Sequence, residues 1–211
     1  MLDNLGLTQK DSEGFRQRLD GRGRLTLELI TVGGQFIEYT RVGEMVRQQW
    51  RDIGIDIDVR ELERNLAFTR DANNENQLIT WATDGSEMLL LFPRHAIPVD
   101  AAEAHMGHAY ARWYASGGSQ GVRPEEPEML RAMELLRRAY ASDEAGQISN
   151  AKDVWRIITE EVWSIGTVGQ SPAFMGVRIV KNNMGNIPQR QANAQHTRTP
   201  FTSQPSTFFF K

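Results

Sequence analysis

A chain of 211 residues with 40% hydrophobic and 24% charged residues can bury a sizeable core and has the composition of an ordinary globular protein. Its net charge of −3 gives no general affinity for nucleic acid or anionic membrane, and no apolar run approaches the ~20 residues of a membrane helix. Cysteine is absent, which excludes disulfides, thiolate nucleophiles and thiolate metal sites.

Met1–Gly6 carries neither the basic nor the apolar region of a secretory signal and reads as the end of a short helix closing at Gly6. Residues 1–24 are polar and turn-rich, and Gly21-Arg22-Gly23 follows no strand, so it is a loop and not a phosphate cradle. Leu25, Leu27 and Leu29 alternate with Thr26 and Glu28, which predicts a half-buried strand over Leu25–Val32. From Phe36 to Ile53 the residues Val42, Met45, Val46, Gln49, Trp50 and Ile53 recur at helical spacing, and Gly54 stands where a left-handed cap belongs. Ile55, Ile57 and Val59 alternate again, so the segment is a strand–helix–strand unit with a parallel pair. A weaker helix is expected around Asn65–Asn74, and a strand over Gln77–Ala82.

Residues 85–124 lose regular periodicity, yet Leu89–Phe92, Trp113 and Tyr114 argue against disorder. Two helices follow. Pro124–Pro127 opens the first, striped by Met129, Met133, Leu136 and Tyr140. Ser142 is the N-cap expected of the second, striped by Ile148, Ala151, Trp155, Ile158 and Val162. Strands are expected at Ser164–Val168 and Val177–Val180, and residues 181–211 read as an extended polar tail closing on Phe208-Phe209-Phe210.

The stretch Gln77–Glu87 stands out as a candidate site. Its strand ends on Trp81, and Asp84 follows three positions later in turn chemistry with Gly85 and Ser86. A strand end is a rigid platform from which such side chains project into a cleft. Trp81 reads as sheet core somewhat more than as a stacking surface; Asp84 reads equally as a ligand carboxylate and as a turn-former. Trp113 and Tyr114, in the long connection, are candidate exposed platforms, whereas Trp50, Trp155 and Trp163 belong to core stripes. Asp56, Asp58, Glu61 and Glu63 form a solvated face or an inter-lobe contact. His105 and His108 lack a third metal ligand in sequence and read as surface histidines. No nucleophile elbow or acid–base carboxylate pair is present, so no enzyme, metal site or cofactor is expected.

The order of these pieces resembles the C-terminal lobe of the ABC-type extracellular solute-binding proteins of family 5, which bind peptides, nickel or oligosaccharides. Leu2-Asp3-Asn4-Leu5-Gly6, Gly54-Ile55-Asp56-Ile57-Asp58-Val59, Trp81-Ala82-Thr83-Asp84 and Asn186-Ile187-Pro188 carry the likeness. It implies an α/β, type II periplasmic-binding-protein-like lobe, with a mixed sheet flanked by helices over residues 1–180. It also implies a tail, residues 181–211, that packs on an N-terminal lobe absent from this chain and is otherwise mobile or held by a neighbour. By the same resemblance the partners are a small solute and an ABC permease, with no nucleic acid, and the location is periplasmic. Asp84 would then pair with a peptide's α-amino group, although Gly85 stands where peptide-binding members often have tyrosine. Trp113, Tyr114 and Gly85 favour an oligosaccharide instead.

Overall fold

The structure, a computed structural model, describes residues 1–35, 37–83, 88–167, 180–189 and 204–211. The chain forms two compact units, Met1–Ala82 with Asp100–Val122, and Thr83–Val99 with Arg123–Lys211.

The first unit is built on the strand–helix–strand expected from the sequence. Strand β1 (Thr26–Val32) runs parallel to β2 (Asp56–Leu62) in a register from Thr26 opposite Asp56 to Val32 opposite Leu62. Between them lies α1 (Tyr39–Asp52), after which Gly54 takes the left-handed conformation expected of it, with φ +84°. The short strand β3 (Leu78–Ile79) pairs with β1 on its other edge, giving the order β2-β1-β3, parallel throughout. β1 is apolar on both faces because both are covered. Leu29 packs with Ile55, Ile57 and Trp50, while Ile30 and Val32 pack with Tyr39 and with Ala67 of α2 (Arg64–Ala72).

Helix α1 meets the sheet along a line shifted from the expected stripe. Tyr39 and Gly43 are buried, whereas Met45 and Gln49 are exposed. The reason is Gly43: a Cβ there would lie 3.0 Å from Thr31 Cγ2, 3.2 Å from Val59 Cγ1 and 3.3 Å from Leu29 Cδ2. The helix approaches the sheet through the residue with no side chain. Glu63 does not extend the acidic strand face; its carboxylate caps α2 by accepting from Asn65 N at 2.8 Å. Asp56 accepts from Thr26 Oγ1, and Asp58 pairs with Arg60.

In the second unit, α4 (Pro127–Tyr140) and α5 (Glu144–Glu161) form a helical hairpin. Ala132, Leu136, Val154, Ile157 and Ile158 make its core together with Leu89, Ala96 and Ile97, and Trp155 and Trp163 pack at its edge. The α5 cap is Asp143, whose carboxylate accepts from Gly146 N at 2.9 Å; Ser142, the expected cap, instead donates to Arg138 O. Ile148 and Val162 are exposed, because the face toward the core runs through Val154 and Ile157. Tyr140 is likewise exposed and donates its hydroxyl to Leu90 O. No strand forms over 164–167; residue 168 and the expected strand up to 179 lie outside the described residues. In the tail, β4 (Met184–Gly185) pairs antiparallel with β5 (Phe209–Phe210). The intervening residues 190–203, on which the expectation of a mobile tail partly rests, also lie outside.

Candidate functional site

The end of β3 places Trp81 among side chains from three other elements. After Ile79 the ladder continues only through Thr80 N, which donates to Ile30 O at 3.0 Å. Trp81 then lies half-buried against the apolar cluster of Ile30, Val32, Tyr39 and Ala67. Its indole stacks on Tyr39 with centroids 5.2 Å apart and an interplanar angle of 28°. Phe68 of α2 meets it edge-on at 4.9 Å and 83°. The guanidinium of Arg64 stands 5.4 Å from its ring, and the imidazole of His105 lies 5.8 Å away. Edge-on and offset ring pairs are the favoured geometries, so this indole is held in one orientation.

Behind that wall is a polar cluster that the sequence reading missed. Asp71, in the last turn of α2, is only 5% exposed. Its Oδ2 lies 3.0 Å from His105 Nδ1 and 3.3 Å from His108 Nε2, and its Oδ1 accepts from Asn76 Nδ2 at 3.2 Å. Burial by itself pushes this carboxyl's pKa up; the His105 hydrogen bond and the nearby His108 imidazole outweigh burial and hold it well below the ordinary carboxylate range. His108 is 3% exposed, so the two histidines are not the surface pair expected. Its Nε2 approaches Asp71 without hydrogen-bond alignment, and neither ring nitrogen has a hydrogen-bond partner among the described residues. One clue to the cluster was present in the sequence: a carboxylate near a helix C-terminus opposes the helix dipole and calls for compensation from elsewhere.

Trp113 and Tyr114 are not on a loop. They lie on α3 (His108–Ala115), half-buried, and neither belongs to the apolar cluster around Trp81. The glycine-rich segment after them folds back onto the helix. Gly118 N donates to Trp113 O at 2.8 Å, Val122 N donates to Ala109 O at 3.0 Å, and Ser116 Oγ accepts from Gln120 N at 2.9 Å. Gly121 takes φ +78°, and a Cβ on it would lie 2.2 Å from Ala109 O, so no other residue fits. Asp84 lies outside the described residues.

The arrangement is an aromatic cluster around a half-buried indole, backed by a buried, hydrogen-bonded carboxylate. Among the described residues no group of three His, Asp or Glu side chains could hold a metal ion, and no helix is long and apolar enough to cross a membrane.

Comparison with solved structures identifies the fold as one found in solute-binding proteins. A structure titled oligopeptide-binding protein OppA matches all of this chain, with a TM-score of 0.76 and 24% identity. The periplasmic binding protein MelB from Agrobacterium fabrum, in complex with stachyose, matches 79% of it, with a TM-score of 0.65 and 16% identity. The chain spans only 34% and 24% of those proteins' lengths. No protein-family model and no curated protein sequence matches.

Proposed function

We propose that this chain is the C-terminal lobe of a two-lobed solute-binding protein, and that it captures a small solute for an ABC importer without chemistry. The observation that carries this reading is the full-length overlap of the chain with one third of the oligopeptide-binding protein. In this reading residues 1–180 are the ligand-binding lobe and 181–211 the tail that packs on the N-terminal lobe. The location is periplasmic. Trp81, Asp84, Trp113 and Tyr114 are the ligand contacts, and the solute is an oligopeptide or an oligosaccharide.

A second reading has one observation in its favour. Trp81 is packed on four sides by Tyr39, Phe68, His105 and Arg64, as a residue of a purely structural interaction domain would be. Thermal-shift screening of the intact two-lobed protein against oligopeptides and stachyose separates the two. A true ligand stabilises by roughly 2.7 kcal/mol at a hundredfold excess over Kd. A melting temperature unmoved by both libraries removes the solute-capture reading. Asp84→Asn then divides the ligand classes: it should cripple capture of a peptide ammonium and affect a neutral sugar mildly.

A further inference from the structure

We infer that Asp71 and His105 are positioning residues for the Trp81 indole: a buried carboxylate holds an imidazole against the aromatic wall. The functional weight of this rests on the reading of Trp81 as a ligand surface.

The argument begins on one face of α2. Arg64, Phe68 and Asp71 follow at four- and three-residue spacing and so project from the same side. Each acts on the same ring system. Arg64 lies 5.3 Å from the Phe68 ring and 5.4 Å from the Trp81 ring. Phe68 meets Trp81 edge-on. Asp71 reaches the ring system through His105, whose ring lies 5.3 Å from Phe68 and 5.8 Å from Trp81.

His105 itself belongs to no helix or strand. It makes a 3.0 Å bond to Asp71, across 34 residues of sequence. An imidazole on irregular backbone has free side-chain torsions unless a partner fixes them, and this bond supplies that constraint. The carboxylate is badly placed for any simpler purpose. It is buried, and it stands at the negative end of its own helix dipole, where it opposes α2. Asn76 takes the other oxygen, which sets the carboxylate plane and leaves Oδ2 directed at the histidines. With Tyr39 stacked on the indole, His105 completes the packing around Trp81.

The test uses the 211-residue chain labelled with 5-fluorotryptophan, in which Trp81→Phe identifies the Trp81 fluorine resonance among the five tryptophans. Asp71→Ala and His105→Ala should each move and broaden that resonance and leave those of Trp155 and Trp163 in place. Asp71→Asn keeps an acceptor for His105 Nδ1 and should restore most of the wild-type position. Ile57→Val is the control for plain destabilisation: it lowers the melting temperature and leaves the Trp81 resonance where it was. Titration of the intact two-lobed protein with trialanine and with stachyose adds the functional arm, in which Asp71→Ala should weaken whichever probe binds by about fivefold. A Trp81 resonance unmoved in both alanine variants, with native circular dichroism, overturns the inference whether or not a probe binds. If the resonance moves and the intact two-lobed protein binds neither probe, the positioning holds and the solute-capture reading fails.

Discussion

The two units solve the packing problem with different chemistry. The hairpin of α4 and α5 buries alanine, leucine, isoleucine and valine against one another. The polar or charged residues buried as a whole among the described residues, Thr31, Asp71 and His108, lie in the sheet-based unit. An apolar interior is held by area and shape, and loses stability in proportion to the atoms removed. A polar interior is held by complete pairing, and one deletion leaves its partners stranded without water. The hairpin unit is therefore held mainly by apolar packing, and the sheet-based unit also encloses a polar cluster.

The largest effect should come from the hairpin. Leu136 has no exposed surface and sits between Ala132 and the α5 residues Val154, Ile157 and Ile158. Leu136→Ala removes that packing and should cost about 3–4 kcal/mol in urea unfolding. A cost near 1 kcal/mol would mean that the hairpin core collapses around the cavity and is softer than its burial suggests.

Asp71→Ala sharpens the contrast from the other side. Its loss removes the carboxylate that His105 bonds and that faces the buried His108, at about 2–3 kcal/mol. The pH dependence has a definite sign. The carboxyl titrates near ~3.9 in the unfolded chain and lower in the folded one, so the unfolded chain takes up the proton first. Stability from this group is complete above that value and is lost as pH falls below it. Urea midpoints measured from pH 7 to pH 3 should therefore fall less steeply in Asp71→Asn than in the wild-type chain. Parallel curves would show that the carboxylate gains nothing from its partners.

The same contrast explains what could be read from sequence. The strand–helix–strand unit was legible because both its strands and its cap are local signals: Leu25–Leu29, Ile55–Val59 and Gly54 each declare themselves within a few residues. The hairpin was legible in place and less so in rotation. Ile148 and Val162 satisfy helical spacing as well as Val154 does, and spacing alone does not say which edge of a wide apolar stripe meets the core. Helix α3 was lost because it is eight residues long and begins after Gly107, with no side-chain cap to announce it. Trp81 was singled out because it was expected to end a strand, and the strand closes two residues earlier at Ile79. The environment of the indole was not legible, because the Asp71–His105 pair spans 34 residues and joins a helix end to irregular backbone. Local chemistry marks elements, whereas polar interiors are assembled by the fold.

The smallest predicted effect tests where that assembly is tightest. Gly43 stands in the middle of α1, where alanine would ordinarily stabilise a helix by about 0.5–1 kcal/mol. Here the added methyl would lie 3.0 to 3.3 Å from Thr31, Val59 and Leu29. All three are held in the β1–β2 ladder, with Leu29 directly opposite Val59. They yield only by rotating against packed neighbours, so α1 must lift by a few tenths of an ångström along its whole contact. Overpacking of this kind costs about 1–3 kcal/mol, which outweighs the gain in propensity. Gly43→Ala should therefore be net destabilising, by roughly 1 kcal/mol, in urea unfolding. Because Tyr39 is carried on the first turn of the same helix and stacks on Trp81, the lift should also appear at the Trp81 fluorine resonance. A stabilised Gly43→Ala chain with that resonance unmoved would mean that α1 rides loosely on the sheet and does not help set the indole.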